Sequence, residues 1–196
     1  MRSKLFIILP AIAALAVVGC GDEASNLTTP TAVPAGSPAT MEEMNENPTI
    51  YDIAKAASTA PTPEFTILVA ALEATGLDAA LDGKGKFTVF APTDAAFGRL
   101  FANPGFPYTP TELLANTELL STVLLYHVAR GERPAEDVVS ASRIRMMAAG
   151  FNFVELMGSD AYLRDGSDLT GNAQIVAVDV MASNGVIHVI DEVLLP

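Results

Sequence analysis

Residues 174–196 read QIVAVDVMASNGVIHVIDEVLLP, and this stretch decides how the chain folds. Two runs rich in β-branched residues flank Asn184-Gly185, a dipeptide that favours a two-residue turn with positive φ at both positions. A turn there predicts a β-hairpin in which Ala182 pairs with Ile187. One face of this hairpin would be almost wholly apolar and is therefore predicted to lie on a core; it carries Val176, Val178, Val180, Ala182, Ile187, Val189 and Val193.

Upstream of the hairpin, the sequence predicts several helices and one early strand. Apolar residues recur with a helical period in five stretches, which are 49–57, 63–76, 94–101, 110–115 and 117–128. Lys86–Ala91 is predicted to be a strand. Thr62 is the predicted N-cap of the second helix. From Ala135 onward the apolar period changes to two, and glycines separate short strands. Helices followed by antiparallel strands indicate an α+β domain, with helices packed on a sheet or sandwich.

The first 19 residues have the organisation of a signal peptide. Arg2 and Lys4 precede an apolar run at 5–18, which is too short to span a bilayer as a mature helix. The run ends in Val-Val-Gly-Cys20, which resembles the lipobox of bacterial lipoproteins. The resemblance implies cleavage before Cys20 and attachment of lipid to its thiol. The alternative is an ordinary secretory signal followed by an incidental cysteine.

Residues 20–47 are predicted to be a disordered tether, and residues 48–196 to be one domain. The tether is rich in Ala, Thr, Ser, Pro and Gly and shows no apolar period. As a flexible coil it would span on the order of 30 Å, enough to hold a domain clear of a membrane. Gly21 differs from the Asp that signals inner-membrane retention in many lipoproteins, so the resemblance favours the outer membrane or cell surface.

The charge and the missing motifs exclude several classes of function. Without residues 1–19 the chain keeps 9 of its 11 basic residues against 23 acidic ones, a net charge of −14. Such a surface repels nucleic acid. No His, Cys or Asp cluster has metal-ligand spacing, and the sequence has no phosphate-binding loop, dinucleotide fingerprint or nucleophile elbow. We therefore expect no metal, no cofactor and no enzymatic activity.

Three segments resemble the signatures of the fasciclin-type domain, also called the fasciclin I repeat. They are TVFAPTDAAF at 88–97, LYHV at 125–128 and ASNGVIHVIDEVLLP at 182–196. Their order and spacing fit that family across residues 48–196. The resemblance implies a wedge-like β-sandwich with a layer of helices. It also implies a non-enzymatic module of secreted or membrane-anchored adhesion and matrix proteins, although some relatives bind apolar ligands such as carotenoids.

Six residues are candidates for a site. In animal adhesion members, the segment that Tyr126-His127 resembles is linked to integrin binding, so these two are candidate interaction residues. The alternative for His127 is a buried, hydrogen-bonded side chain. Thr93 and Asp94 follow a strand and precede a helix, a position typical of helix caps. His188 and Asp191 interrupt the pattern of the closing hairpin and are expected to make structural hydrogen bonds.

The sequence as a whole predicts a lipid-anchored binding module of the bacterial envelope. It would be exported, bound to the membrane through Cys20, and would contact a surface or matrix protein or a glycan. The alternative is a carrier for a small apolar ligand, bound among Met146, Met147, Phe151, Phe153 and Met157; these residues otherwise read as core. Segments 103–108 and 144–158 follow no family pattern and are the expected sites of binding specificity.

Overall fold

The structure, a computed structural model, describes residues 48–167 and 169–196. The predicted signal peptide, Cys20 and the predicted tether lie outside these residues. Seven helices form in the described part of the chain: α1 Ile50–Ser58, α2 Thr66–Thr75, α3 Asp78–Leu81, α4 Asp94–Ala102, α5 Pro110–Ala115, α6 Thr117–Tyr126 and α7 Ala135–Ser140. The strands there are β1 Phe87–Pro92, β2 Val128–Arg130, β3 Arg143–Arg145, β4 Phe151–Met157, β5 Asp160–Arg164, β6 Ala173–Ala182 and β7 Gly185–Ile190.

The seven strands form one curled sheet in the order β2-β1-β7-β6-β5-β4-β3. The last strand, β7, lies in the middle, parallel to β1 and antiparallel to β6. A bridge between Ala129 and Met146 brings the end of β3 back beside β2, so the sheet nearly closes on itself. The predicted α+β fold, with helices on a β-sandwich and a β6–β7 hairpin, is confirmed.

Two cores lie on opposite sides of β1 and β7. Val89, Ala91 and Ile187 belong to the first core, which packs the sheet against the helices. Phe90 and Ile190 belong to the second core, which the curled sheet encloses. Residues of both parities on these two strands are therefore buried, as is typical of strands that are covered on both faces.

The predicted hairpin register is wrong, because the turn forms one residue earlier in the chain than predicted. The turn lies at Ser183-Asn184, and Ala182 pairs with Gly185 rather than with Ile187. A bulge follows, at which Asp179 has φ 56° and the pairing shifts. The bulge turns Val176 and Val178 outward, and these side chains are 53% and 49% exposed instead of buried.

The reason lies in what Asn184 and Gly185 do elsewhere in the molecule. The Asn184 side chain accepts a 2.9 Å hydrogen bond from the Ile50 amide and donates to the carbonyls of Leu81 and Gly83. Gly185 has φ 153°, and a Cβ there would overlap the carbonyl oxygen of Phe87. Both residues are therefore fixed by their distant partners, and the turn forms one residue earlier.

Three other predictions of local structure differ from the observed one. Helix α2 begins at Thr66 rather than after Thr62, because Phe65 has left-handed backbone geometry at φ 64°. Helix α6 ends at Tyr126, and residues 128–130 form β2 instead of continuing the helix. Helix α7 forms at the point where the apolar period was read as changing to two, and the sequence had not predicted it. Both β2 and α7 are too short to show a clear apolar period.

Candidate functional site

Tyr126 and His127, the candidate interaction residues, lie inside the domain at the end of α6. Their exposed fractions are 3% and 2%. The Tyr126 hydroxyl is 3.1 Å from the carbonyl oxygen of Asp165 and 3.3 Å from that of Phe151, and it is the donor to both. A partner could not contact either side chain in this conformation, so the geometry gives this pair a structural role.

The hydrogen bonds of His127 define its tautomer. The Leu194 amide donates to Nε2 at 2.9 Å, so this nitrogen carries no proton. The proton is on Nδ1, which donates to the carbonyl oxygen of Val123 at 2.8 Å. Burial lowers the pKa of His127 to about 4. The imidazole is thus neutral near pH 7, and both of its nitrogens are occupied.

Asp165 is a buried carboxylate that the sequence analysis did not single out. It is 8% exposed and accepts hydrogen bonds from the amides of Leu195 and Ser167 at 2.7 and 2.8 Å. The Thr170 hydroxyl donates a third bond, at 2.7 Å. Asp165 and His127 together hold residues 194–195 against the domain. The only sequence signal was the pair Asp165-Gly166, which reads as an ordinary turn.

Thr93 and Asp94 cap two different helices. Thr93 Oγ1 accepts from the Ala96 amide at 3.2 Å and so caps α4, the helix that it precedes. The Asp94 carboxylate instead accepts from the amides of Thr66 and Ile67, at 3.1 and 3.0 Å. These amides belong to the first turn of α2, which has no side-chain cap of its own. Asp94 therefore joins two helices that are distant in sequence.

His188 and Asp191 both bond to main-chain groups. His188 is fully buried, stacks on Phe90 at a centroid distance of 5.5 Å, and has Nε2 2.9 Å from the carbonyl oxygen of Arg133. Asp191 Oδ1 accepts from the Gln174 amide at 2.7 Å. All six predicted site residues thus make structural contacts, and the structure does not bring them together in a single pocket.

Two strands carry most of the exposed large apolar side chains among the described residues. In the described part of the chain, eleven large apolar side chains are more than a third exposed. Seven of them lie on β4 and β6: Phe151, Phe153, Leu156, Met157, Val176, Val178 and Met181. Alternation along β4 places Phe151, Phe153 and Met157 on one side, which we call the outer face of β4. Isolated exposed apolar residues are ordinary, but a patch of neighbouring ones marks an interaction site.

Arginines border the outer face of β4. On β3, Arg143 is paired with Phe153 and Arg145 with Phe151, while Arg164 on β5 is the other neighbour of Phe153. The Arg143 guanidinium lies 4.8 Å from the centre of the Phe151 ring, within the range of a cation–π contact. Most of segment 144–158 therefore points outward, although Met146 is buried in the second core.

The aromatic loop at 103–108 is less available to a partner. Phe106 is partly buried against the first core, and its ring lies 6.1 Å from that of Phe101 on α4. Tyr108 packs edge-on against Phe106 at 5.6 Å and is 37% exposed. The loop thus contributes a single exposed aromatic side chain, whereas β4 exposes two, Phe151 and Phe153.

Two apolar pockets open between the helices and the sheet. Their volumes are about 40 and 30 Å³, room for a water molecule or two. Sites for small organic molecules are typically about 300–1,000 Å³. Neither of these two pockets matches the predicted alternative, an apolar ligand enclosed among Met146 to Met157, because their linings include only Met147 of that segment.

The comparison with protein families decides the identity of the domain. The fasciclin domain model matches residues 63–196. This chain belongs to the fasciclin domain family. The resemblance read from the three signature segments is thereby confirmed, and the buried Tyr126-His127 pair and the central strand β7 are parts of this fasciclin domain.

Curated relatives agree with this family. The chain is 39% identical over 132 residues to protein sll1483 of Synechocystis, which covers 67% of each chain. It is 34% identical over 183 residues to the immunogenic protein MPB70 of Mycobacterium bovis, covering 91% of this chain and 80% of that one. A solved fasciclin domain pair from the insect cell adhesion molecule fasciclin I has a TM-score of 0.48 and 19% identity, covering 66% of this chain and 44% of that one.

Across residues 48–167 and 169–196, no helix has both the length and the apolar character needed to cross a bilayer.

Proposed function

We propose that this fasciclin domain is a non-enzymatic adhesion module that is exported and held at the bacterial envelope by lipid on Cys20. Its binding surface is the outer face of β4, and its partner is a surface or matrix protein or a glycan. Membership of the family supports a module without catalysis. The lipobox-like segment that ends at Cys20 supports the anchor.

One observation carries the choice of surface: Phe151, Phe153 and Met157 are each at least 40% exposed on the same side of one strand. Exposed apolar side chains gain free energy when a partner covers them, at roughly 25 cal/mol per Å². Aromatic residues and arginine are also enriched where proteins bind each other. The Arg143–Phe151 pair thus has the composition of an interface.

Attachment of cells tests this surface. A deletion strain that carries the double variant Phe151→Ser, Phe153→Ser should attach no better than the empty deletion strain. Both residues are largely exposed, so the thermal unfolding midpoint should change by only a few degrees. Tyr108→Ser is the matched control, because it removes the exposed aromatic residue of the rival segment 103–108. Normal attachment by the double variant, or loss of attachment with Tyr108→Ser, would reject the outer face of β4.

The anchor needs a separate experiment. In a detergent phase separation of whole cells, the natural chain should enter the detergent phase and Cys20→Ala should enter the aqueous phase. Ser25→Ala, a change in the predicted tether, should leave partitioning unchanged. Detergent partitioning that survives Cys20→Ala would remove lipidation from the proposal without affecting the adhesion surface.

The alternative function, a carrier for a small apolar ligand, has less support. The pockets at the helix–sheet boundary are too small for such a ligand, so it would have to lie on the open outer face of β4 or in the larger cleft that Met146 and Met147 line. Organic extraction of protein purified from its own host would decide this point. A stoichiometric apolar molecule in the extract would favour the carrier, and its absence would leave adhesion as the function.

A further inference from the structure

Most of the basic residues of this acidic chain lie in one region. Outside the predicted signal peptide the chain has nine, and five of them fall between positions 130 and 164: Arg130, Arg133, Arg143, Arg145 and Arg164. The sequence pI is about 4.4. The same span holds five acidic residues as well, so a positive potential that favours an anionic ligand can arise only where several of these arginines lie close together.

Three of these arginines line one surface cleft. Arg130 lies at the end of β2, Arg133 in the loop before α7 and Arg145 at the end of β3, around a cleft of about 640 Å³. The rest of the lining is apolar and comes from residues 146–149. Among the described residues, the ion pairs within 4 Å involve Lys55, Lys86, Arg99 and Arg164 and none of these three. Within the described residues, these three guanidinium groups therefore have no carboxylate in direct contact.

Arg133 has a buried polar atom whose hydrogen-bonding capacity is not used. Its Nε is buried and has no hydrogen-bond partner within the described chain. A buried donor without an acceptor costs about 1–3 kcal/mol, and such groups are rare unless they serve a function. Because this Nε is closed to solvent, an acceptor in the cleft would reach it only if the Arg133 side chain moved.

The backbone around the cleft is held in place by buried groups. The Arg133 amide donates to Thr88 Oγ1 and its carbonyl accepts from His188 Nε2, both at 2.9 Å. Thr88 and His188 are fully buried. Strands β2 and β3 are joined by a 2.7 Å bond from the Met147 amide to the Val128 carbonyl. The cleft is thus formed before any ligand arrives, which reduces the ordering cost of binding.

We infer that this arginine cleft is a binding site for a phosphomonoester on an organic ligand. Three guanidinium groups are balanced better by a phosphomonoester, with a charge of about −1.5 to −2, than by a carboxylate with a single charge. Arginine also binds phosphate through paired hydrogen bonds. The cleft is larger than one phosphate group and part of its lining is apolar, so the phosphate is part of a larger molecule. The inference does not depend on the proposed lipid anchor or adhesion surface.

Two sources could supply this chemistry, a phosphorylated sugar or a lipid headgroup, and one titration series distinguishes them. The full chain in a non-ionic detergent is titrated calorimetrically with glucose 6-phosphate and with short-chain phosphatidic acid. Glucose and short-chain phosphatidylcholine are the controls for each. Binding of the phosphomonoesters without binding of their controls is expected. Whichever of glucose 6-phosphate and phosphatidic acid binds with the higher affinity identifies the source.

Variants locate the site. Arg145→Gln and Arg130→Gln, both exposed, should each weaken binding of the tighter probe at least tenfold. The matched control is Arg143→Gln, which removes the same charge from β3 two residues away and should change affinity less than twofold. No binding of either phosphomonoester at about 10 mM in low salt would overturn the inference. Equal weakening by Arg143→Gln would also overturn it, because the attraction would then be diffuse.

Discussion

His127 Nε2 accepts a 2.9 Å hydrogen bond from the amide of Leu194, so the end of α6 and the segment after β7 share one buried imidazole. This contact explains why a histidine at this place is hidden from any partner. A phenylalanine could fill the same space, but it could neither accept from the Leu194 amide nor donate to the Val123 carbonyl. The ring is used for both, and it must be neutral to do so.

The neutral state of His127 predicts a loss of stability in mild acid. Its pKa is about 4 in the folded domain and near 6.5 in the unfolded chain, so below pH 6.5 the unfolded state binds the proton more readily. The contribution of His127 is therefore fully present above pH 6.5 and is lost as the pH falls towards 4. It amounts to about 2–3 kcal/mol in the free energy of unfolding.

Urea denaturation at pH 7.5 and pH 4.5 measures this loss. His127→Gln lacks the titrating group, so its decrease in stability between the two pH values should be smaller than that of the natural chain by about 2 kcal/mol. The comparison removes the contribution of the carboxylates, which both proteins share. An identical decrease in the two proteins would show that folding does not lower the pKa of His127.

Tyr126→Phe tests whether Tyr126 stabilises the domain or contacts a partner. The change removes the hydroxyl that donates to the carbonyls of Asp165 and Phe151 and should cost about 1 kcal/mol of stability. Attachment of cells should remain normal, since the side chain is buried. Chemical denaturation and an attachment assay are the two measurements. Lost attachment with unchanged stability would restore Tyr126 as a contact residue.

Asp94→Ala should destabilise the domain through α2 rather than through its own helix. The carboxylate accepts from the Thr66 and Ile67 amides, and loss of a helix cap costs about 1–2 kcal/mol. Asp82→Ala is a suitable control, because Asp82 is exposed and is outside any helix N-terminus. Hydrogen exchange should show faster exchange at the start of α2 in Asp94→Ala only. Faster exchange confined to α4 would contradict this assignment.

Gly185→Ala should prevent the pairing of β1 with β7. The new Cβ would overlap the Phe87 carbonyl oxygen, and φ 153° is also unfavourable for alanine. We expect the stability to fall by more than about 3 kcal/mol, or folding to fail, because the two strands must separate. Gly171→Ala, at a glycine with open space around it, should be nearly neutral. Circular dichroism during thermal unfolding compares the two, and equal midpoints would contradict the expected clash.

The sequence was most informative where structure depends on neighbours in the chain. The family signatures and the Thr93 cap are local patterns, and the structure has Thr93 as the cap of α4. The prediction of the hairpin register was wrong because Asn184 is fixed by groups about 100 or more residues away in the sequence. No local pattern reports such a partner.

The candidate sites depend more strongly on distant contacts. Burial of Tyr126 and His127 follows from the packing of residues 194–195, which the apolar period of α6 does not reveal. The arginine cleft exists because β3 returns beside β2, although Arg130 and Arg145 belong to separate stretches of sequence. Exposure of Val176 and Val178 results from the bulge at Asp179, a residue type that enters left-handed geometry without an obvious signal.

The hydrogen bonds around Asn184 have a mechanical consequence. If a cell were held by this domain while the chain before residue 48 was anchored as proposed, tension would enter the fold at Pro48. The Pro48 carbonyl is bonded to the Ser183 amide, and the Ile50 amide to the Asn184 side chain, each at 2.9 Å. The load therefore passes at once to the turn between β6 and β7, in the middle of the sheet, and α1 is not peeled away first.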